Sequence, residues 1–313
     1  MGVDLGGSRI RAGVMTVDGT LTSQLEQPTD APRGAASVLA TLHTMIGSLA
    51  GSVDDLASIG VACAGQIHPR TGAVVLAPNL GWRDVPLAAT LAGAFRVPVT
   101  VENDVRAAAW GEYRFGAHRS AQSLIAVFVG TGIGSGAVLD GRLWAGAGNA
   151  AGELGHTQVV VDGLPCPCGG RGCLEVYASG SGLRRRAQVA MAAGANTALA
   201  ELCDGDPLGV TATMVAAAAN SGDEVARALW SDARRYLTLG VANYVTLLNP
   251  AALVLGGGVI DALPELVDDV ASGALLATTV LARESVRIER ARLGQWAGVL
   301  GAAALAAPTP RAQ

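Results

Sequence analysis

The sequence predicts an α/β protein built from two similar halves. Residues 1–19 contain a short apolar strand, a glycine turn, a second strand and a hairpin turn at Asp18-Gly19. Residues 124–141 repeat this order around the run GTGIGSG and end at Asp140-Gly141. Glycine turns at matching places in two halves predict a duplicated domain that binds a nucleotide between its halves.

The first half alternates strands and helices after its opening hairpin. Apolar residues at helical spacing predict a helix over 33–49, and residues 57–64 have the composition of a buried strand. Another strand is predicted over 97–101, and a helix follows it over 105–115. This alternation is typical of an α/β sheet, in which ligands bind at the carboxyl ends of the strands.

The second half is mostly helical after its own strand at 124–129. Helices are predicted over 182–193, 197–203, 211–219 and 224–248. Short strands at 253–255 and 286–288 precede a closing helix over 296–306, and the remaining tail is expected to fray.

Composition excludes several classes of protein. The formal charge is −4, and all 22 basic residues are arginine. Without lysine the chain has neither a Walker A loop nor Schiff-base chemistry. The Arg184-Arg185-Arg186 triplet is interpreted as a solvated helix face rather than a nucleic-acid patch. No apolar run is long enough to span a bilayer, so a soluble cytoplasmic protein is expected.

A group of metal-ligand residues lies between Gly152 and Glu175. His156, Cys166, Cys168 and Cys173 offer four soft donors, and glycines surround them. This set suits a closed, structural zinc site, with a disulfide or free thiols as the alternative. His156 is predicted to sit beside a strand-like run over 157–161. The other two of the five cysteines, Cys63 and Cys203, are assigned to the core.

Three glycine turns are candidate phosphate or nucleotide contacts, because their amides can approach an anion without a lysine. Asp4, beside the first turn, is placed to reach a magnesium ion through water. The candidate residues are Asp4, Gly6, Gly7 and Ser8; Gly130, Thr131, Gly132 and Gly134; and Gly256, Gly257 and Gly258. An ordinary hairpin is the alternative interpretation of the first turn.

Asp104 stands where a buried strand passes into a helix. It is either the N-cap of that helix or a functional carboxylate at the strand end, and the pattern alone favours the cap.

Together these motifs resemble the ROK family of repressors, open reading frames and sugar kinases, and most closely its glucokinases. The resemblance covers essentially the whole chain. DLGGS (4–8) and GTGIGSG (130–136) are similar to its phosphate motifs, and VENDVRAAA (101–109) carries its Asn-Asp pair. AGELGH followed by CPCGGRGCLE is similar to its zinc signature, and VLGGGV lies where adenosine contacts occur.

The resemblance implies an actin-like fold of the hexokinase and HSP70 type, a duplicated ribonuclease-H-like fold with two domains and an interdomain cleft. The smaller domain is expected to comprise residues 1–104, completed by a C-terminal helix over 296–313. The larger domain, residues 105–295, is expected to carry the zinc motif.

The resemblance also implies roles for individual residues. Asp104 would be the catalytic base. The residues that would hold sugar hydroxyls are Asn79, Asn103, Asp104, Glu153, His156 and Glu175, of which His156 could instead serve only zinc. Two positions depart from the family pattern: Arg9 replaces a usual lysine, and Arg106 replaces a common asparagine, which puts the local contacts around Asp104 in question.

The activity implied is ATP-dependent phosphorylation of a hexose at its 6-hydroxyl, with glucose as the expected substrate. The alternatives are a ROK kinase for N-acetylmannosamine or fructose, or a sugar-sensing ROK repressor. The expected cofactors are structural Zn²⁺ and Mg²⁺ with ATP, and polyphosphate is left open as a donor. Hexose and ATP are the expected partners, in a homodimer or homotetramer, without nucleic acid or membrane.

Overall fold

The computed structural model describes residues 1–53, 55–119 and 121–307. Its strands are β1 (Gly2–Leu5), β2 (Arg9–Met15), β3 (Leu21–Pro28), β4 (Ile59–Cys63), β5 (Gln66–Ile67), β6 (Val74–Ala77), β7 (Trp82–Val85), β8 (Val99–Asn103), β9 (Leu124–Val129), β10 (Ile133–Leu139), β11 (Arg142–Leu143), β12 (Ala252–Gly256) and β13 (Arg287–Arg290).

The α-helices of the described ranges follow the same chain order. They are α1 (Ala35–Ala50), α2 (Leu87–Phe95), α3 (Asp104–Phe115), α4 (Glu175–Ala178), α5 (Gly180–Ala192), α6 (Leu199–Leu202), α7 (Ala212–Asn220), α8 (Glu224–Leu248), α9 (Gly258–Ala262), α10 (Leu266–Leu276), α11 (Val280–Ser285) and α12 (Ala297–Ala306). No helix in these ranges combines the length and the apolar character needed to cross a membrane.

The predicted elements are present, with one exception and several additions. The helix predicted over 224–248 has the same bounds in α8. The strand-like run over 157–161 is wrong: Gln158 makes only an isolated bridge to Cys173. The hairpin turn predicted at Asp18-Gly19 joins β2 to β3, although no bounds were predicted for β3, and the short strands β5 to β7 were not predicted.

The two five-stranded sheets share one plan. The first has the order β3-β2-β1-β4-β8, with β1, β4 and β8 parallel and β2 and β3 antiparallel at one edge. The second has the order β11-β10-β9-β12-β13, again with three parallel strands and an antiparallel hairpin. The predicted duplication is therefore visible in the topology of the sheets.

By its internal contacts the chain divides into two compact units. Unit 1 comprises 1–121, 136–152 and 292–313, and unit 2 comprises 122–135 and 153–291. The domain boundaries expected from the sequence assign 105–121, 136–152 and 292–295 to the larger domain instead of to unit 1. They remain a prediction, and residues 308–313 of the expected closing segment lie outside the described residues.

Helix α12 explains why α3 belongs to unit 1. These two helices are rich in small residues and pack closely against each other. At the contact, a Cβ added to Gly301 would lie 1.7 Å from the carbonyl oxygen of Ala107, so a side chain cannot be accommodated there. The buried core of unit 1 continues through β1, β4 and α1, with Val3, Leu5 and Ile46 fully buried.

Candidate functional site

The start of α3 carries the strongest candidate for chemistry. Strand β8 pairs with β4 as far as Asn103, so the helix begins at Asp104. The Asn103 Oδ1 accepts hydrogen bonds from the amides of Val105 (3.0 Å) and Arg106 (3.1 Å), which makes Asn103 the N-cap. The interpretation of Asp104 as the cap is therefore wrong: Asp104 is the first residue of the helix.

Asn103 also holds the Asp104 carboxylate. Its Nδ2 donates to Asp104 Oδ1 at 2.9 Å and to the carbonyl of Gly65 at 3.2 Å. Asp104 is half-buried in the first turn of α3, where the helix dipole favours a negative charge. The arrangement presents an oriented carboxylate at the carboxyl end of a parallel strand.

A second carboxylate, Asp4, lies on β1 of the same sheet. Burial raises the pKa of Asp4 to about 7, the charge of Asp104 raises it further, and Arg11 opposes the shift. Arg11 Nη1 lies 3.8 Å from Asp4 Oδ2. Asp4 and Asp104 are therefore close enough for their negative charges to repel each other.

The raised pKa of Asp4 has a consequence for stability. In the unfolded chain Asp4 has an ordinary pKa of 3.8 and loses its proton above about pH 4. The folded chain keeps this proton up to about pH 7. Stability should therefore fall as the pH rises from about 4 to about 7. We expect Asp4→Asn, which cannot ionise, to match the parent below pH 4 and to exceed its unfolding free energy above pH 7 by up to about 4 kcal/mol.

Urea unfolding of both chains between pH 4 and pH 8 measures this difference. Asp18→Asn is the control with the opposite sign, because hydrogen bonds from Thr16 and Thr20 lower the pKa of Asp18. A metal-free Asp4→Asn chain that is less stable than the parent at pH 8 would contradict the desolvation of Asp4.

The first glycine turn is built around close backbone approach. The amide of Gly6 donates to the carbonyl of Arg9 (3.0 Å), and a Cβ on Gly7 would lie 2.8 Å from the Cβ of Asn79. Asn79 thus lies against this turn. The buried Thr29, which sequence reasoning missed, donates its hydroxyl to Gly6 O at 2.7 Å. Its partner lies 23 residues away, so no local pattern identifies it.

The other two glycine turns lie together within unit 2. The carbonyl of Gly130 accepts a hydrogen bond from the amide of Gly180 at 2.8 Å, and the carbonyl of Thr131 accepts one from the amide of Ser181 at 3.1 Å. Gly130, Thr131 and Gly180 also line a pocket of about 340 Å³. The other lining residues are Arg184, Thr211, Ala212, Thr213, Gly258, Val259 and Ala262. The glycine turns 130–134 and 256–258 thus contribute to one cavity.

Two polar residues of this pocket were not predicted. Thr211 is the N-cap of α7, with its hydroxyl 3.2 Å from the amide of Met214. The Nε of Arg184 donates to the carbonyl of Val210 at 3.0 Å. The interpretation of the arginine triplet as a solvated face is therefore wrong for Arg184 and for Arg186, which pairs with Asp232. Only Arg185 of the three is exposed. A Ser/Thr cap before α7 was the available signal for Thr211.

The predicted metal ligands converge in unit 2. One donor atom from each of His156, Cys166, Cys168 and Cys173 lies within 4.8 Å of the others. Cys166 Sγ and His156 Nδ1 are 3.7 Å apart, as are the sulfurs of Cys168 and Cys173. A tetrahedron with Zn–S bonds of about 2.3 Å has edges of about 3.7 Å. A disulfide requires about 2.05 Å, so the spacing fits zinc and not a disulfide.

The cluster fixes the residues on either side of it. The amide of His156 donates to Glu153 O (3.0 Å), which places both residues in one tight turn. On the other side Glu175 begins α4, two residues after Cys173, and its Oε2 accepts from the amide of Ile133 at 2.8 Å. The Cys173 ligand is therefore linked through Glu175 to the GTGIGSG turn of the same unit.

Burial also affects a phenol near Glu153. Burial raises the pKa of Tyr244, the hydrogen bond with Ser135 lowers it, and the charge of Glu153 raises it. The Tyr244 and Ser135 hydroxyls are 3.0 Å apart. Glu153 and His156 are exposed, so both side chains can meet a polar ligand.

Comparisons with known proteins agree with this architecture. A model of the ROK family matches residues 1–308. The glucokinase of Streptomyces coelicolor is 35% identical over 316 residues, covering 98% of this chain and 96% of that protein. A ROK family glucokinase from Streptomyces griseus, solved with glucose and AMPPNP, superposes with a TM-score of 0.82 at 36% identity and covers 97% of this chain and 98% of its own.

A ROK hexokinase from Thermus thermophilus superposes with a TM-score of 0.80 at 33% identity, covering 97% of this chain and 96% of its own. The predicted actin-like α/β fold is thereby confirmed. Family model, sequence relatives and solved structures each extend over nearly the whole chain. The chain belongs to the ROK family.

Proposed function

We propose that the chain is a sugar kinase that transfers the γ-phosphoryl group of ATP to the 6-hydroxyl of glucose. The observation that carries this proposal is its similarity, over 97% of its length, to a ROK family glucokinase solved with glucose and the ATP analogue AMPPNP. The local geometry supports it independently through Asp104, an oriented carboxylate at a strand end.

Asp104 is assigned as the general base. Its carboxylate accepts the proton of the 6-hydroxyl as that oxygen bonds to the γ-phosphorus and the bond to the β–γ bridging oxygen breaks. Asn103 keeps the carboxylate in one orientation through its 2.9 Å hydrogen bond. Because this hydrogen bond exists before substrate binds, little reorganisation is needed at the moment of transfer.

The nucleotide is assigned to the glycine turns. The amides around Gly130 to Gly134 and Gly256 to Gly258 meet the phosphates and the adenosine side, while Gly6, Gly7 and Ser8 provide a further amide turn. Mg²⁺ bound with ATP would neutralise charge on the phosphates. Asp4 would hold that ion through water, and its raised pKa would return toward the ordinary value for an aspartate beside the cation.

Sugar recognition is assigned to Glu153, His156 and Glu175, together with Asn79 and Asn103. Carboxylate, imidazole and amide groups pair with hydroxyls, and an analogue lacking one hydroxyl leaves its partner unpaired. Zn²⁺ at His156, Cys166, Cys168 and Cys173 is proposed to be structural, since four protein donors leave no open position. His156 would coordinate through Nδ1, which leaves the opposite ring nitrogen for a hydroxyl.

The finer features of the assembly are also proposals. Cysteines held as metal ligands or in the core fit a reducing cytoplasm. Assembly as a homodimer or homotetramer remains an expectation. N-acetylmannosamine and fructose remain the alternative substrates, because the assigned polar residues do not by themselves select the substituent at carbon 2.

A coupled assay of ADP release tests the proposal across a panel of hexoses. With ATP we expect glucose to give the largest kcat/KM, and mass spectrometry should identify the 6-phosphate as product. Polyphosphate is run in parallel as donor, with sugar phosphate as readout. A larger kcat/KM for N-acetylmannosamine or fructose would make that sugar the assigned substrate in place of glucose. The absence of phosphorylation with every sugar and both donors would refute the kinase assignment.

A further inference from the structure

Arg106 is a buried arginine two residues after Asp104, and the proposed mechanism does not use it. It is 2% exposed, although a guanidinium is almost never fully buried unless it is paired. Burying such a charge is unfavourable without several hydrogen bonds in good geometry. The partners of Arg106 therefore indicate what the side chain holds together.

One side of the guanidinium binds Glu102, the residue before Asn103. Arg106 Nε donates to Glu102 Oε1 at 3.0 Å, and Nη2 binds the same oxygen. This oxygen also accepts the amide of Asn103 at 2.7 Å. Arg106 thus acts through Glu102 on Asn103, whose side chain both caps α3 and holds the Asp104 carboxylate.

The other side of the guanidinium binds a turn of the same unit. Arg106 Nη1 donates to the carbonyl of Asn149 at 2.9 Å and, more weakly, to that of Ala151 at 3.4 Å. Asn149 adopts a left-handed conformation with φ of 58°, and its Nδ2 donates to the carbonyl of Ile67 at 2.8 Å. The turn is therefore fixed to two separate parts of unit 1.

We propose that Arg106 is a positioning residue that fixes the Asp104 carboxylate and the Asn149–Ala151 turn in one arrangement through Glu102 and Asn103. This inference rests on the proposed kinase function, in which Asp104 accepts the proton. Arg106 itself touches neither substrate nor the reacting atoms. Its fork of donors makes both sets of hydrogen bonds at once, which a single ammonium cannot reproduce.

The chain offers a matched control on the same helix. Glu112 is 1% exposed, and its carboxylate accepts from the amides of Arg292 and Leu293 at 2.8–3.2 Å. It lies eight residues after Asp104, about 12 Å along the helix. Glu112→Gln therefore perturbs an equally buried charge that fixes a different segment and has no contact with Asn103 or Asp104.

The test compares Arg106→Met, Arg106→Lys and Glu112→Gln for kcat, glucose KM and melting temperature. We expect Arg106→Met to lower kcat about 10- to 100-fold, with a smaller change in KM, because a misplaced base affects the chemical step more than binding. Arg106→Lys, which keeps the charge and some hydrogen bonds, should recover part of this loss. Glu112→Gln should lower the melting temperature with kcat within about twofold of the parent.

The proposal is overturned if folded Arg106→Met keeps kcat within about threefold of the parent, or if Glu112→Gln loses kcat as strongly at equal destabilisation. If Arg106→Met does not fold, Arg106→Lys decides: a kcat equal to that of the parent overturns the proposal, and a measurable loss of kcat supports it. Hydrogen exchange gives a readout that needs no activity: residues 145–151 should exchange faster in the Arg106 variants only, and residues 292–293 in Glu112→Gln only. Unchanged exchange at 145–151 would refute the fixed turn even if the parent phosphorylated no sugar.

Discussion

Replacing Asp104 by asparagine is expected to lower kcat by about 10²–10⁴-fold, the usual contribution of a positioned general base. The amide has nearly the same size but cannot take the proton of the 6-hydroxyl. Glucose binding should change much less, since an amide still pairs with that hydroxyl. The measurement is kcat beside the glucose Kd from calorimetry and the melting temperature of the same variant.

Folding is expected to survive this substitution, because the N-cap of α3 is Asn103 and not Asp104. Losing one negative charge in the first turn costs about 0.3–1 kcal/mol, and part of that is offset because the charge of Asp104 also disfavours ionised Asp4. Asn103→Ala provides the comparison: it should lose about 1 kcal/mol through the missing cap. An Asp104→Asn chain with more than about a tenth of parental turnover would remove Asp104 as the base.

Loss of the metal cluster is expected to have the second large effect. Cys168→Ser should lose the bound zinc, because a hydroxyl is a poor replacement for a thiolate. Metal binding and folding are coupled at such sites, so the melting temperature should fall with the zinc content. Glucose affinity should fall as well, since the cluster fixes the turn of Glu153 and His156 and leads directly to Glu175.

Elemental analysis should find one zinc per parental chain and markedly less in Cys168→Ser. Cys203→Ala is the control, because Cys203 is a buried cysteine that lies outside the cluster. It should keep full zinc content and unchanged glucose affinity. Full occupancy with unchanged kinetics in Cys168→Ser would count decisively against a zinc site at these four residues.

The sequence predicted the main strands, the longest helix and the convergence of the four metal ligands. Apolar periodicity and the density of ligand residues are local signals, because each depends on residues that are close together in the chain. The cap of α3 was not predictable in the same way. Asn103 and Asp104 are equally good caps by type, and only the pairing of β8 with β4 as far as Asn103 decides which residue is the cap.

Long-range polar partners were the other features that sequence could not provide. Three buried polar residues illustrate this: Arg106, Glu112 and Thr29. Their residue types usually lie at the surface, but each of them bonds to a partner distant in the chain. Short strands such as β5 to β7 also escape detection, because two to four residues carry too little periodicity.

The close packing of α12 links the order of synthesis to the order of folding. This helix contacts β1, β4 and α3, elements that leave the ribosome long before it does. All of unit 2 is synthesised between them, so unit 1 cannot bury its glycine-rich contact faces until residues 297–306 emerge. Contacts between such distant parts of the chain slow folding. Until α12 is available, the part of unit 1 that is already synthesised exposes apolar surface. The nascent first half should therefore depend on chaperones until α12 is available.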